Sequence, residues 1–235
     1  MIDPKYLAQR ALAEVAKGSL KNHFFETDTT GSIYESILKN DLEEQVRLID
    51  NYLKNGLTLD FFYGSIAPII AEKLGDAWKE DTLSFSEVTI ALGKLRLVCQ
   101  EFEQRYFDDT QKVLDGPNVL LLTLEEDNHT FGAYLAAIQL RKSNFNAHLA
   151  IGYSESELLN LLEFGKFELI GVSVGSEKTI KRTNEIVRII KKKYNIPVIA
   201  GGSYVNHNME MAKRVLEVDG IEFNPEDLKS HIRSI

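Results

Sequence analysis

Apolar residues recur at helical spacing through the first 110 positions and gather into short, nearly continuous runs after position 117. Tyr6, Leu7, Ala11, Leu12 and Val15 suit an opening amphipathic helix, and Thr29, Thr30, Gly31 and Ser32 break its pattern. Leu38, Leu42, Val46, Ile49 and Leu53 make the next stripe, which Asn55-Gly56 stops. A longer helix is expected over 59–80, with Phe62, Ile66, Ile69, Ile70 and Leu74 inward and a kink or split at Pro68. Ser84 and Glu87 stand at the spacing of a capping box. The helix they open carries Val88, Leu92, Leu95, Cys99, Phe102 and Tyr106 on one face. Residues 1–110 are therefore expected to form a bundle of four or five helices.

The polar stretch that ends in Gly116-Pro117 reads as a linker over 111–117. Beyond it the period changes. Strand-like runs at 118–124, 146–151, 168–174, 197–200 and 219–223 alternate with helical ones at 130–143, 154–164, 177–193, 207–217 and 225–233. Successive β/α units of this kind predict a doubly wound, parallel five-stranded sheet, Rossmann-like or flavodoxin-like, over 118–235. The expected class is α/β with an all-α N-terminal domain.

Composition narrows the function. The chain has 235 residues, 44% of them hydrophobic, enough for a sizeable core. A single cysteine, Cys99, forms no internal disulfide, no apolar run approaches the roughly 20 residues that span a bilayer, and no secretory leader is visible. A cytoplasmic protein without a membrane segment is expected. Residues 1–110 hold 12 basic against 19 acidic side chains, and residues 111–235 hold 15 against 16. This acidity argues against direct binding to DNA phosphates and leaves room for a protein partner. No Ser/His/Asp nucleophile set, phosphate-binding loop or cysteine-rich metal motif is present, so an independent enzyme is not expected.

The chemistry collects at strand ends. Asp127-Asn128-His129-Thr130-Phe131-Gly132 lies between the run Val119–Leu122 and the helical run from Ala133. At the carboxyl end of a parallel strand, where ligands bind, a histidine offers an imidazole on a rigid support. A carboxylate two residues earlier can take its other ring proton and raise its basicity. Gly132 would let a bulky ligand approach the backbone. The same residues also suit a solvated or helix-capping histidine. Ser173, within Gly171-Val172-Ser173-Val174-Gly175, and the pair Gly201-Gly202 end the third and fourth expected strands. In a parallel sheet these ends share one side, which would line a slot with glycine beside the histidine.

The order D-x-H-x-x-G, then Ser, then Gly-Gly resembles the base-off/His-on cobalamin-binding domain, and the resemblance covers 118–235. It implies a corrinoid whose cobalt is bound by His129, with Asp127 behind it. The neighbours implied are Thr130, Gly132, Ser173, Gly175, Gly201 and Gly202. Ser173 would donate to the displaced base of the nucleotide tail. The family's S-x-L is here Ser173-Val174-Gly175, which would loosen the apolar wall near that tail. In the helical half, Leu74-Gly75-Asp76-Ala77-Trp78 and the run Asp81–Ile90 look like the helical cap of cobalamin-dependent regulators and photoreceptors. In these the tryptophan covers the upper corrin face, so Trp78 and Glu87 join the implied contacts. The D-x-x-S-F-x-x-V-T-I run is most similar to the PpaA/AerR antirepressors of photosynthesis genes. That similarity implies a light- or redox-responsive regulator acting through a repressor of the PpsR/CrtJ kind. The upper ligand (adenosyl, methyl or hydroxo) stays open, and haem is an alternative cofactor on the same histidine. The corrinoid-carrying subunit of a methyltransferase system is the alternative function.

Overall fold

A computed structural model describes residues 28–107, 116–127 and 129–221, together with Leu228 and Ile232. The helix expected at the N-terminus, most of the expected linker and all but those two residues of the last expected helix lie outside this set. The chain divides into two compact units between Phe102 and Glu103.

The first unit is helical: α1 (Thr30–Lys39), α2 (Leu42–Lys54), α3 (Leu59–Phe61), α4 (Ala67–Lys79) and α5 (Phe85–Phe107), whose last turn belongs to the second unit. Two expectations need correction. Residues 29–32 were expected to break a helix, yet Thr30 to Ser32 open α1. The stripe from Leu38 to Leu53 was expected to be one helix and is instead cut at Asn40-Asp41. Asp41 is extended and its carboxylate caps α2 by accepting from Glu44 N–H at 2.9 Å. The buried Gln45 amide closes the end of α1, donating to the Ser36 and Asn40 carbonyls at 3.3 and 2.9 Å. Between α3 and α4 the chain widens into a π-helical turn, Phe62–Ile66, where Ala67 N–H bonds to Phe62 O. Pro68 has no N–H and its ring crowds the carbonyl four residues back, and the wider turn relieves this. Phe62, packed edge-on to Tyr63 and Phe102 at 5.3 and 6.2 Å, centres the core, and the Tyr63 hydroxyl donates to Cys99 O at 2.6 Å. The expected capping box opens α5: Glu87 accepts from Ser84 N–H at 2.8 Å, and Glu87 N–H bonds to Ser84 Oγ at 3.3 Å.

The second unit carries a five-stranded parallel sheet in the order β2-β1-β3-β4-β5. Its elements are β1 (Asn118–Leu124), α6 (Thr130–Lys142), β2 (Asn146–Tyr153), α7 (Glu155–Phe164), β3 (Leu169–Ser173), α8 (Ile180–Lys193), β4 (Val198–Gly201), α9 (Ser203–His207), α10 (Met209–Val215) and β5 (Gly220–Ile221). Each central strand is buried on both faces, which is why its sequence is a continuous apolar run. Leu120, Leu122, Ile170, Val172, Val198 and Ala200 pack against α7 and α8. On the opposite face Val119, Leu121, Leu169 and Ile199 meet Ala137 and Leu140 of α6. The expected helix over 207–217 is two short helices. Asn208 separates them, because its backbone leaves the helical region there (φ −134°, ψ 40°).

β1 is the centre of the doubly wound order: the chain leaves it for β2 on one side and returns to β3 on the other. The carboxyl ends of β1 and β3 are therefore the switch point, where open α/β sheets bind ligands.

Candidate functional site

Three residues beyond the end of β1 the chain turns, with Asp127 N–H on Leu124 O at 3.0 Å. This drives the Asp127 carboxylate inward until its side chain is 1% exposed. A buried carboxylate needs donors, and it has three. Oδ1 accepts from His129 N–H at 2.9 Å and faces His129 Nδ1 at 3.0 Å. Oδ2 accepts from Gly175 N–H, at the end of β3, at 2.6 Å. Burial pushes the Asp127 carboxyl up. The hydrogen bonds from the His129 ring, His129 N–H and Gly175 N–H, with the attraction of the imidazole, outweigh it and hold the group below its usual value. The ionised carboxylate favours the tautomer with the proton on Nδ1, which leaves Nε2 as the basic nitrogen. The His129 side chain is 59% exposed, immediately before α6.

The glycines divide into two kinds. A Cβ at Gly132, in the first turn of α6, would meet nothing within 4 Å, so this glycine leaves open space beside the histidine. Gly175 is the reverse. A Cβ there would collide with Asp127 Oδ1 and lie 2.6 and 2.7 Å from His129 Nδ1 and Cβ. The departure from S-x-L is thus a place where backbone presses against the Asp–His pair. Gly202 has φ +106°, and a Cβ would lie 2.7 and 2.8 Å from Val174 O and N and 3.0 Å from Ser173 Oγ. It serves the close approach of the β4–α9 turn to β3, alongside the 2.7 Å bond from Val174 N–H to Gly201 O. Ser173 and Gly201 are register partners at the sheet edge. Thr130 is the half-buried first residue of α6.

In the helical unit, Trp78 lies in the last turn of α4 with 49% exposure, and the Phe85 ring lies 5.9 Å from it with 66% exposure. Two neighbouring aromatic rings facing solvent are a signal that the sequence reading attached to Trp78 alone. Glu87 lies two residues past Phe85, with its carboxylate engaged by Ser84, which holds it below the usual carboxylate value. Lys79 pairs with Asp76 at 2.9 Å.

Among the described residues, no group of three or more His, Cys, Asp or Glu side chains is arranged to hold a metal ion. A single exposed, carboxylate-backed histidine suits a metal that arrives with its equatorial ligands already in a macrocycle. No helix of the described residues is long and apolar enough to cross a membrane.

No known protein-family model matches the chain. In sequence it is 26% identical over 149 residues, 63% of this chain and 78% of the relative, to an uncharacterized 20.5 kDa protein of the bchF–crtJ intergenic region of Rhodobacter capsulatus. In structure it is similar to the monomethylamine corrinoid protein of Methanosarcina barkeri, with a TM-score of 0.66 at 14% identity, over 87% of this chain and 97% of that one. A cobalamin-binding protein from Desulfitobacterium hafniense DCB-2 aligns over 88% of this chain and 98% of its own at 16% identity, with a TM-score of 0.44. The fold is thus that of the Methanosarcina corrinoid protein, a helical region followed by an all-parallel Rossmann-like unit.

Proposed function

We propose that the protein is a corrinoid-binding regulator. The observation that carries the cofactor is the Asp127–His129 pair: a buried, ionised carboxylate orients an exposed imidazole at the sheet's switch point, with open space at Gly132. A corrinoid supplies a cobalt ion with one lower position for an imidazole nitrogen. His129 Nε2 would fill it, Asp127 would hold the ring and its tautomer, and Ser173 with the glycines would receive the nucleotide tail.

The regulatory part of the proposal rests on the Trp78 to Ile90 run, which resembles the antirepressors of photosynthesis genes. It also rests on the likeness in sequence to a protein encoded beside crtJ. In this reading the chain is not itself an enzyme. It binds a repressor protein of the PpsR/CrtJ kind rather than DNA, and a light- or redox-driven change at the cofactor alters that association. The likeness in fold to a monomethylamine corrinoid protein supports a second reading, the corrinoid-carrying subunit of a methyltransferase system. Haem on the same histidine is a further cofactor reading.

Absorption spectra of the purified protein, with and without cobalamin or haem, in the dark and after illumination, test these readings together. A regulator gives a lasting light-induced spectrum and a changed affinity for the repressor. Methyl cycling with a partner methyltransferase, without a light effect on association, would establish the second reading instead.

A further inference from the structure

The row of residues at the top of the sheet contains a side chain with no role in the site so far. Thr123 of β1 is the register partner of Ser173 in β3, and Ser173 is the register partner of Gly201 in β4. Alternation along the strands puts these three on the face that carries Leu121, Leu169 and Ile199, because Leu122, Val172 and Ala200 take the other. Thr123 is 0% exposed, and its Oγ1 has no hydrogen-bond partner among the described residues. A buried hydroxyl is kept hydrogen-bonded almost everywhere in folded proteins, and one left without a partner destabilises the fold that contains it. Valine has the same shape and would fit an apolar strand without that cost, so packing alone gives no reason for threonine here.

The surroundings point to a ligand. Four residues after Thr123 comes Asp127, and Gly132 and Ala133 stand in the first turn of α6, which covers this face of the sheet. Side chains along the strip are short. We propose that Thr123 is a binding residue for the heteroaromatic base of a corrinoid's nucleotide tail, an inference that rests on the corrinoid reading above. Once His129 replaces the base on cobalt, the base carries an in-plane nitrogen lone pair that needs a donor. The Thr123 hydroxyl, on the strand next to Ser173, can donate its proton to that nitrogen. The tail therefore satisfies the hydroxyl that the described residues leave unpaired, beside the Ser173 hydroxyl on the neighbouring strand.

The test uses the full chain with Thr123→Val and Thr123→Ser. Its probes are hydroxocobalamin and cobinamide, the corrinoid without a nucleotide tail. Thermal unfolding of the ligand-free protein is the independent readout. Thr123→Val should leave the free protein's melting temperature unchanged or raised. It should weaken hydroxocobalamin by about 10-fold, the worth of one hydrogen bond of ordinary strength, and leave cobinamide unaffected. Thr123→Ser should restore hydroxocobalamin binding. Equal weakening of both corrinoids with a lowered melting temperature would make Thr123 a fold residue. Unchanged affinity for both would remove it from the tail site. If the wild-type protein binds neither corrinoid, the corrinoid reading fails and this inference with it, an outcome distinct from the other two.

Discussion

At Asp127 two opposing effects meet. Burial favours the neutral acid, and three donors favour the carboxylate; the donors prevail. The outcome matters because only the carboxylate orients the imidazole and strengthens its basicity. His129→Ala should therefore abolish the corrinoid spectrum or reduce affinity severely, whereas Asp127→Ala should cost on the order of 10–100-fold in an absorption titration. An unchanged spectrum for His129→Ala would remove ligation from this site. Gly175 extends the argument to a residue whose part in the site comes from contact across the fold. Its N–H completes the carboxylate's set from 48 positions away, and its missing side chain makes the room. Gly175→Leu, the residue of the family's pattern, should force Asp127 and His129 apart and weaken corrinoid binding about as much as Asp127→Ala. Tighter binding by Gly175→Leu would mean that the pair relaxes around a side chain there. The D-x-H-x-x-G spacing made Asp127 and His129 legible in the sequence, because both lie on one turn. The contact of Gly175 with them was not legible, since it depends on β3 pairing beside β1. Thr123 was hidden for another reason: threonine is an ordinary strand former, and it is distinguished by a buried hydroxyl that finds no partner among the described residues.

At the scale of elements, the β/α half followed its apolar runs closely, because strands buried on both faces leave an unambiguous pattern. The helical half was less legible where side chains far along the chain decide an ending. Gln45 closes α1 from within α2, and the stripe of apolar positions carries no trace of that bond. A periodic segment is also divided at Asn208, where the backbone leaves the helical region. The two kinds of glycine allow fold and binding to be separated by element. Gly132 is exposed on α6 with open space around it, so Gly132→Val should change stability by no more than about 0.5 kcal/mol, yet crowd a corrinoid and weaken its binding. Gly202→Val places a branched side chain at positive φ against the backbone of Val174, and should lower the melting temperature before any ligand is added. Paired melting and binding measurements on both variants check this. A Gly132→Val protein that binds the corrinoid as well as wild type would move the ligand away from α6.

For the whole molecule, the proposed regulatory reading requires that a change at the cofactor alter the association with a partner protein. A ligand shifts a conformational equilibrium only through contacts that differ between the two states. In the helical unit, Trp78 and Phe85 present flat apolar surface to solvent. The resemblance assigns Trp78 to the upper corrin face. Lys79 follows it and is engaged with Asp76. Water, rather than a side chain at position 79, is therefore the expected upper ligand after photolysis. Trp78→Ala should retain His129-dependent binding, because the lower ligand is untouched. It should alter the preference among adenosyl, methyl and hydroxo forms, or abolish the light-dependent change in association with a repressor. Spectral titration with each form, followed by a dark-and-light binding assay, separates the two effects. If Trp78→Ala leaves both intact, the exposed aromatic pair has no part in signalling, and the signal must pass through contacts that the α/β unit makes by itself.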